Sequence, residues 1–157
     1  SCFGQFVVGK CYYVGWGVAK DYAEAVRLYR LSAAQGDAAA QNNLGVMFEN
    51  GPGVAKDYAE AVRLYRLSAA QWDAAAQNNL GVMFENGRGV AQDYAEAVRL
   101  YRLAADQGHA GAQFNLGNMF HNGRGVARDR TESIRWYRLA AAQGDADAQD
   151  SLRRLGV

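Results

Sequence analysis

The sequence repeats itself at a constant interval of 36 residues. The segment 37–72 returns as 73–108 with only five substitutions. One glycine and one tyrosine keep this interval in every unit, as Gly15, Gly51, Gly87, Gly123 and Tyr29, Tyr65, Tyr101, Tyr137. Repeats of this length are typical of stacked arrays. We therefore predict a single repeat domain over 1–157, with a degenerate unit at about 1–36, units at 37–72, 73–108 and 109–144, and a terminal helix at 145–157.

Each unit predicts two helices joined by a glycine-containing turn. In the second unit Asp37 is a good N-cap, and the apolar residues after it have the spacing of a helix buried along one stripe. Gly51 is placed to end this helix at positive φ. The second helix is predicted from Asp57 to Gln71. Glu60, three residues after Asp57, predicts a capping box with a side-chain acceptor at each end of the first turn.

A glycine stands in the middle of every first helix, at Gly9, Gly45, Gly81 and Gly117. Glycine at such a position costs about 1 kcal/mol relative to alanine, so its recurrence needs a structural reason. We expect the missing side chain to let a neighbouring helix, or the ring of a repeat tyrosine, approach closely. The alternative is a glycine that admits a ligand, which its repetition in every unit disfavours.

Trp72 stands where other units have Gly36, Gly108 and Gly144. A tryptophan is unfavourable there if the residue must adopt positive φ. It marks either a contact or an altered corner geometry, and the sequence leaves both open.

These residues resemble a known family. The pattern A-x-A-Q-x-x-L-G-x-M-F-x-N-G-x-G-V, followed by D-Y-A-E-A-V-R-L-Y-R-L-A-A-x-Q-G, is similar to the Sel1-like repeat, a relative of the tetratricopeptide repeat. The similarity covers residues 37–144 almost without interruption, and residues 15–36 as well. It implies an all-α, right-handed superhelical solenoid of antiparallel helical hairpins. It also implies that the first helices line a concave face where the family commonly receives partners.

Charge and hydropathy argue against two classes of partner. The 17 Lys and Arg residues nearly cancel the 16 Asp and Glu residues and alternate with them, which argues against nucleic acid. No run approaches 18 consecutive apolar residues, so we expect no membrane span. Cys2 and Cys11 are too far apart for a disulfide at helical spacing. The compartment is therefore undecided, and bacterial periplasmic, secreted and cytoplasmic locations all stay open.

No combination of residues predicts an active site. His109 and His121 are twelve positions apart, about 18 Å along a helix, so they cannot share a metal. The first stands at a capping position of the repeat and the second where Glu49 and Glu85 stand, and we expect both to be solvated. A catalytic pair would need to appear once, in one special unit, and none does. We predict a non-enzyme without catalytic residues, bound metal or cofactor.

The leading function is a non-catalytic scaffold that binds a peptide or partner domain on the concave face. Positions that packing does not require form ladders of asparagine, whose amide can donate to and accept from a peptide backbone. Plain solvation of these side chains is the alternative. Near-identity of the units also allows an engineered or consensus-built chain, or a recent duplication, and the sequence leaves open whether the chain is a fragment. The predicted partner-binding residues are Asn42, Asn43, Val46, Asn78, Asn79, Val82, Phe114, Asn115 and Asn118.

The first helix is more apolar than its counterparts. Ser1 falls at its N-cap position. Large apolar residues replace small or polar ones at Phe3, Phe6, Val7, Val14 and the loop residue Trp16. The sequence leaves three explanations open: the helix is buried against upstream repeats, its sequence has drifted in a terminal unit, or it forms an edge for self-association or partner docking. The alternative function is therefore a structural element that self-associates through residues 1–16 to give a homodimer.

Overall fold

A computed structural model describes the backbone of residues 2–157 and the side chains from Gly4 onward. Helices make up all of its regular secondary structure, and no strand occurs within residues 2–157. They are α1 (Cys2–Val14), α2 (Tyr22–Ala34), α3 (Ala38–Asn50), α4 (Tyr58–Ala69), α5 (Ala74–Asn86), α6 (Tyr94–Asp106), α7 (Ala110–Asn122), α8 (Arg130–Ala142) and α9 (Ala146–Leu155). The all-α repeat fold of helical hairpins is confirmed. The predicted N-cap Ser1 and the side chain of Phe3 lie outside the described residues.

The chain divides into two compact units. The first unit contains residues 1–76 and 88–90, and in it α1 packs on α2, α2 on α3 and α3 on α4. The second unit contains residues 77–87 and 91–157, and in it α6 packs on α7, α7 on α8 and α8 on α9. A single repeat domain over 1–157 stays a prediction.

Aspartates begin the second helix of each hairpin, as predicted. Oδ1 of Asp57 accepts a hydrogen bond from the N–H of Glu60 at 3.0 Å. The same bond recurs at Asp21, Asp93 and Asp129. The other half of the predicted capping box is wrong. The N–H of Asp57 already donates to the carbonyl of Phe48 at 2.8 Å, so the Glu60 carboxylate instead accepts two bonds from Arg63, at 2.6 and 2.9 Å.

The mid-helix glycines make room for the repeat tyrosines. A Cβ added at Gly45 would lie 2.7 Å from Cε1 of Tyr65, closer than real side chains approach. The corresponding distance is also 2.7 Å at Gly81 and Gly117, and 3.1 Å at Gly9. The close packing that we expected is confirmed. Because the tyrosine rings are fully buried, their burial offsets the cost of about 1 kcal/mol for a helical glycine.

Polar side chains also join the two helices of a hairpin. In the first unit, the hydroxyl of Ser68 donates to the carbonyl of Ala38 at 2.7 Å, and Nε2 of Gln71 donates to Oε1 of Gln41 at 2.9 Å. The glutamine bond recurs in the second unit, from Gln107 to Gln77 and from Gln143 to Gln113. These bonds satisfy groups that burial would otherwise leave without a partner.

Trp72 has a φ of 65°, and within residues 2–157 every other positive φ belongs to a glycine. Its N–H donates to the carbonyl of Ala69 at 3.0 Å, as the corresponding glycine Gly36 donates to Ala33 at 3.0 Å. The corner therefore keeps its positive φ and its hydrogen bond, whereas α4 has 12 residues and ends one residue earlier than the 13-residue helices α2, α6 and α8. The indole is 66% exposed, and α4 ends at Ala69, short of the predicted Gln71.

Candidate partner-binding grooves

The predicted partner-binding residues lie on α3, α5 and α7, and their exposure differs. Asn42 is buried, at 9% exposure, so its amide has little surface to offer. The other eight are half-buried, namely Asn43, Val46, Asn78, Asn79, Val82, Phe114, Asn115 and Asn118. Whether any of them binds a partner stays a prediction.

One groove of the first unit lies between α1 and α3. We call it the α1–α3 groove. It has a volume of about 240 Å³ and is lined by Lys10, Tyr13, Val14, Tyr29, Asn43 and Val46. Two predicted binding residues, Asn43 and Val46, thus share a cavity with Val14, which we assigned to the self-association edge.

The Tyr29 side chain lies in this groove, and its ring has little freedom to move. It packs against the ring of Phe6, with 5.9 Å between the centroids, and lies close to Gly9. Burial raises the pKa of Tyr29, and a hydrogen bond with Asn43 acts in the opposite direction. An amide has more hydrogen-bonding groups than one phenol can use, so Asn43 retains capacity for a ligand.

A second groove, within the second unit, lies between α7 and α9. This α7–α9 groove has a volume of about 220 Å³ and is lined by Phe114, Asn118, His121, Tyr137, Ser151, Arg154 and Leu155. The phenol of Tyr137 donates to Oδ1 of Asn118 at 2.6 Å, and the Phe114 ring packs 5.8 Å from the Tyr137 ring. Burial raises the pKa of Tyr137.

The repeat position that His121 occupies carries a glutamate in the two preceding units. At its counterpart Glu49, the carboxylate accepts from the phenol of Tyr65 at 2.7 Å and lies 3.8 Å from the guanidinium of Arg88. Glu85 makes the same contacts with Tyr101 at 2.6 Å and Arg124 at 3.7 Å. Our interpretation of this repeat position as solvated surface is wrong, because these carboxylates hold buried phenols. His121 is itself half-buried and lines the α7–α9 groove.

His109 fulfils the capping role that its repeat position predicts. Its Nδ1 accepts from the N–H of Ala112 at 3.1 Å at the start of α7. The side chain is half-buried rather than fully solvated. Among the residues that the structure describes, no group of three or more His, Cys, Asp or Glu side chains is placed to hold a metal ion.

The asparagine ladder includes a direct bond between two of its members. Nδ2 of Asn115 donates to Oδ1 of Asn78 at 3.0 Å within the second unit. These amides are thus partly occupied by each other. A peptide that binds them would use the N–H and carbonyl groups that remain.

A groove of the first unit that is larger than the α1–α3 groove was not predicted, and we call it the α2–α4 groove. It has a volume of about 610 Å³ and lies among α2, α3 and α4, with Arg30, Phe48, Glu60, Arg63 and Leu67 in its lining. The Arg30 guanidinium lies over the Phe48 ring, 5.8 Å from its centroid. The signal that sequence reasoning overlooked was Leu67, an apolar residue on the outer side of an amphipathic helix. Its side chain is 44% exposed in the structure.

The apolar first helix is only partly exposed. Val7, Val14 and Trp16 are exposed, the tryptophan at 76%, and Val8, which we did not single out, is exposed as well. Phe6 instead is half-buried and packs on the Tyr29 ring of the same hairpin. None of the helices in residues 2–157 combines the length and apolar character that crossing a bilayer requires.

Comparison with known proteins supports the repeat pattern directly. The family model described as Sel1 repeat matches residues 3–37, 38–71, 74–109 and 110–145. A comparison with curated protein sequences returned no match.

Solved structures share the fold. A Sel1 repeat protein from Oxalobacter formigenes is 36% identical, with a TM-score of 0.88 over 95% of this chain and 59% of its own. A protective antigen of uropathogenic Escherichia coli with an SLR fold is 38% identical, with a TM-score of 0.90 over 99% of this chain and 34% of its own. The cysteine rich protein B of Helicobacter pylori, at 19% identity and a TM-score of 0.66 over 85% of this chain and 96% of its own, shows the fold alone. This chain thus spans 59% and 34% of the first two proteins.

Proposed function

Because this chain belongs to the Sel1 repeat family, we propose that it is a non-catalytic scaffold that binds a peptide or partner domain on the face of its first helices. Proteins of this family generally act as scaffolds for protein–protein interaction. The proposal concerns where this chain binds and by what chemistry.

The α1–α3 groove is the observation that carries the proposal. Its walls combine apolar surface from Val14 and Val46 with the amide of Asn43 and the ammonium group of Lys10. Mostly apolar walls with a few polar groups that fix orientation are typical of ligand pockets in general. A backbone amide of the peptide would bind Asn43, while its side chains would contact the valines.

Rigidity of the groove favours binding. Tyr29 is held between Phe6 and the space at Gly9, so the groove does not have to be ordered when a ligand enters. Binding to a preformed surface avoids the entropy cost of ordering side chains. The mechanism is therefore passive: the scaffold presents a surface and does not change the bonds of its partner.

Position-specific crosslinking tests the proposal. A photoreactive phenylalanine analogue would replace Lys10 in the α1–α3 groove, and the matched controls would carry it at Arg27, exposed on α2, or at Leu67 in the large α2–α4 groove. In extract of the source cells, we expect a partner crosslinked at Lys10 and absent at Arg27. A partner crosslinked only at Leu67 would contradict the proposal and move the site to the second helices.

A synthetic peptide completes the test. Mass spectrometry would identify the partner segment joined to position 10, and that segment, as a peptide, should bind the purified chain. The Asn43→Ala substitution should weaken this binding by about fivefold, the effect of one lost hydrogen bond. An unchanged affinity would contradict the role of the amide.

Self-association through α1 is a second candidate, which we propose on the exposure of Trp16 and the three valines. Light scattering after size exclusion would show a dimer whose fraction falls on Trp16→Ser. A monomer at all concentrations would reject this candidate. The Trp16→Ser variant keeps every residue that lines the α1–α3 groove, so partner binding at Lys10 can be measured in the same variant.

A further inference from the structure

We propose that the α7–α9 groove binds an acidic side chain of an extended peptide, with the guanidinium of Arg154 as its charge partner. This inference rests on the proposed function, because it assigns a partner chemistry to the first-helix face. It concerns the second unit alone.

The two adjacent arginines of α9 differ in their surroundings. Arg153 forms an ion pair with Asp150, one turn earlier on the same helix. Arg154 lines the α7–α9 groove, and among the described residues no ion pair is formed with it. Arg154 and Tyr137 line the same groove, so the guanidinium lies on the wall that also holds the repeat tyrosine. An arginine in a groove without a carboxylate is suited to bind one from a ligand, in a bidentate manner.

The groove has lost the acid that the repeat supplies elsewhere. In the two central repeats, Glu49 and Glu85 each accept a bond from a buried tyrosine and lie near an arginine. His121 takes this position in the fourth repeat, and Tyr137 turns to the neutral Asn118 instead. The lining of the α7–α9 groove therefore contains no carboxylate, and its one permanent charge is positive.

Donors surround the space beside Arg154. The imidazole of His121, which lines the groove, offers at least one N–H in any protonation state. The amide oxygen of Asn118 is occupied by Tyr137, which leaves its NH₂ group for a ligand. A carboxylate accepts up to about four hydrogen bonds, so it matches this set of donors. Phe114 and Leu155 add apolar surface for the methylene groups of a glutamate.

Two blocked peptides test the inference. The probe is N-acetyl-Gly-Ser-Phe-Glu-Phe-Ser-Gly-amide, and the matched control peptide carries Gln in place of Glu. Because both ends are capped, a terminal carboxylate cannot account for binding. In NMR titrations of the intact chain, we expect the Glu peptide to shift signals of α7 and α9 and to bind about fivefold more tightly than the Gln peptide, the effect of one partly exposed ion pair.

Adjacent substitutions give the control for charge. Arg154→Gln should abolish the preference for Glu, whereas Arg153→Gln, which removes the same charge one residue away, should retain it. His121→Glu restores the residue of the two central repeats, Glu49 and Glu85, so it should fold and should weaken binding of the Glu peptide by at least fivefold. Circular dichroism of each variant would establish that the helices are intact.

Three outcomes of these experiments would contradict the inference. Equal affinities of the two peptides for the native chain, or equal losses in the Arg153 and Arg154 variants, would overturn the inference. Absence of any shift in α7 and α9 would also overturn it. The crosslink at Lys10 in the first unit would still decide the proposed function, so the two failures are distinguishable.

Discussion

The phenol of Tyr65 donates a hydrogen bond to the carboxylate of Glu49 at 2.7 Å, joining α4 to α3 inside one hairpin. Tyr101 and Glu85 repeat the arrangement at 2.6 Å. Burial, followed by the bond to the carboxylate and its negative charge, raises the pKa of both phenols far above the usual value of 10.0. The two tyrosines therefore stay protonated in the folded chain well above the pH at which an exposed phenol loses its proton.

Alkaline pH should destabilise the fold through these tyrosines. An unfolded tyrosine loses its proton near pH 10, whereas the folded one keeps it. The contribution of each protonated tyrosine to the free energy of unfolding is therefore fully present below about pH 10. Above that pH the free energy of unfolding falls by about 1.4 kcal/mol per pH unit for each such tyrosine. Urea unfolding between pH 8 and 11 would measure the slope. Tyr65→Phe should reduce it, and an identical slope in that variant would contradict the assignment.

Substitution of Gly45 by alanine should destabilise the first unit. The added methyl group would lie 2.7 Å from the Tyr65 ring, whose burial leaves it little room to move. Overpacking of this kind costs about 1–3 kcal/mol. Gly9→Ala is the matched comparison, since its methyl group would lie 3.1 Å from Tyr29 and should cost less. Urea unfolding of both variants would measure the difference, and a larger loss at Gly9 would refute the steric argument.

Replacing Trp72 by glycine should stabilise the chain. A residue with a side chain costs about 1–2 kcal/mol in the left-handed region. Glycine removes this cost, but it also increases the conformational entropy of the unfolded chain, which opposes folding. We therefore expect the free energy of unfolding to rise by about 0.5–1 kcal/mol. Gly108→Trp, the reciprocal change at the next corner, should lose a similar amount. Thermal unfolding followed by circular dichroism would test both. A loss of stability on Trp72→Gly would indicate that the indole makes a stabilising contact.

Neighbouring asparagines on α3 should respond differently to alanine. Asn42 is buried, so removing its amide from the interior should cost about 1–3 kcal/mol. Asn43 is half-buried beside Tyr29, and its loss should cost less than about 1 kcal/mol while weakening a ligand of the α1–α3 groove. Chemical denaturation of the two variants would separate them. Equal losses would mean that both amides are structural.

The sequence predicted those features that every hairpin repeats. The pairing of Gly45 with Tyr65 and the cap at Asp57 recur at one interval, so each copy supports the others. The pairing of Glu60 with Arg63 could not be predicted in the same way. The N–H of Asp57 is already bonded to the carbonyl of Phe48, so the Glu60 carboxylate pairs with Arg63 instead. That backbone bond depends on the three-dimensional geometry of the hairpin and cannot be read from residue spacing.

The grooves were harder to predict than the helices. Each of the two first-helix grooves brings together residues one repeat of 36 positions apart, namely Asn118 and Arg154 or Lys10 and Val46. Neither member of such a pair indicates the groove by itself. A signal was present in the α7–α9 groove. His121 stands where Glu49 and Glu85 stand, and Arg154 stands where Val46, Val82 and Asn118 stand, so departures from the repeat, rather than the repeat itself, marked the site.

The bonds that close a hairpin all link residues that are near in sequence. Asp57 and Phe48 are 9 positions apart by their numbers, Tyr65 and Glu49 are 16 apart, and Ser68 and Ala38 are 30 apart. Low contact order of this kind favours rapid folding, because little loop entropy is lost before a contact forms. A hairpin can therefore begin to fold once its second helix has left the ribosome, and the order of synthesis sets the order in which the helices are stabilised.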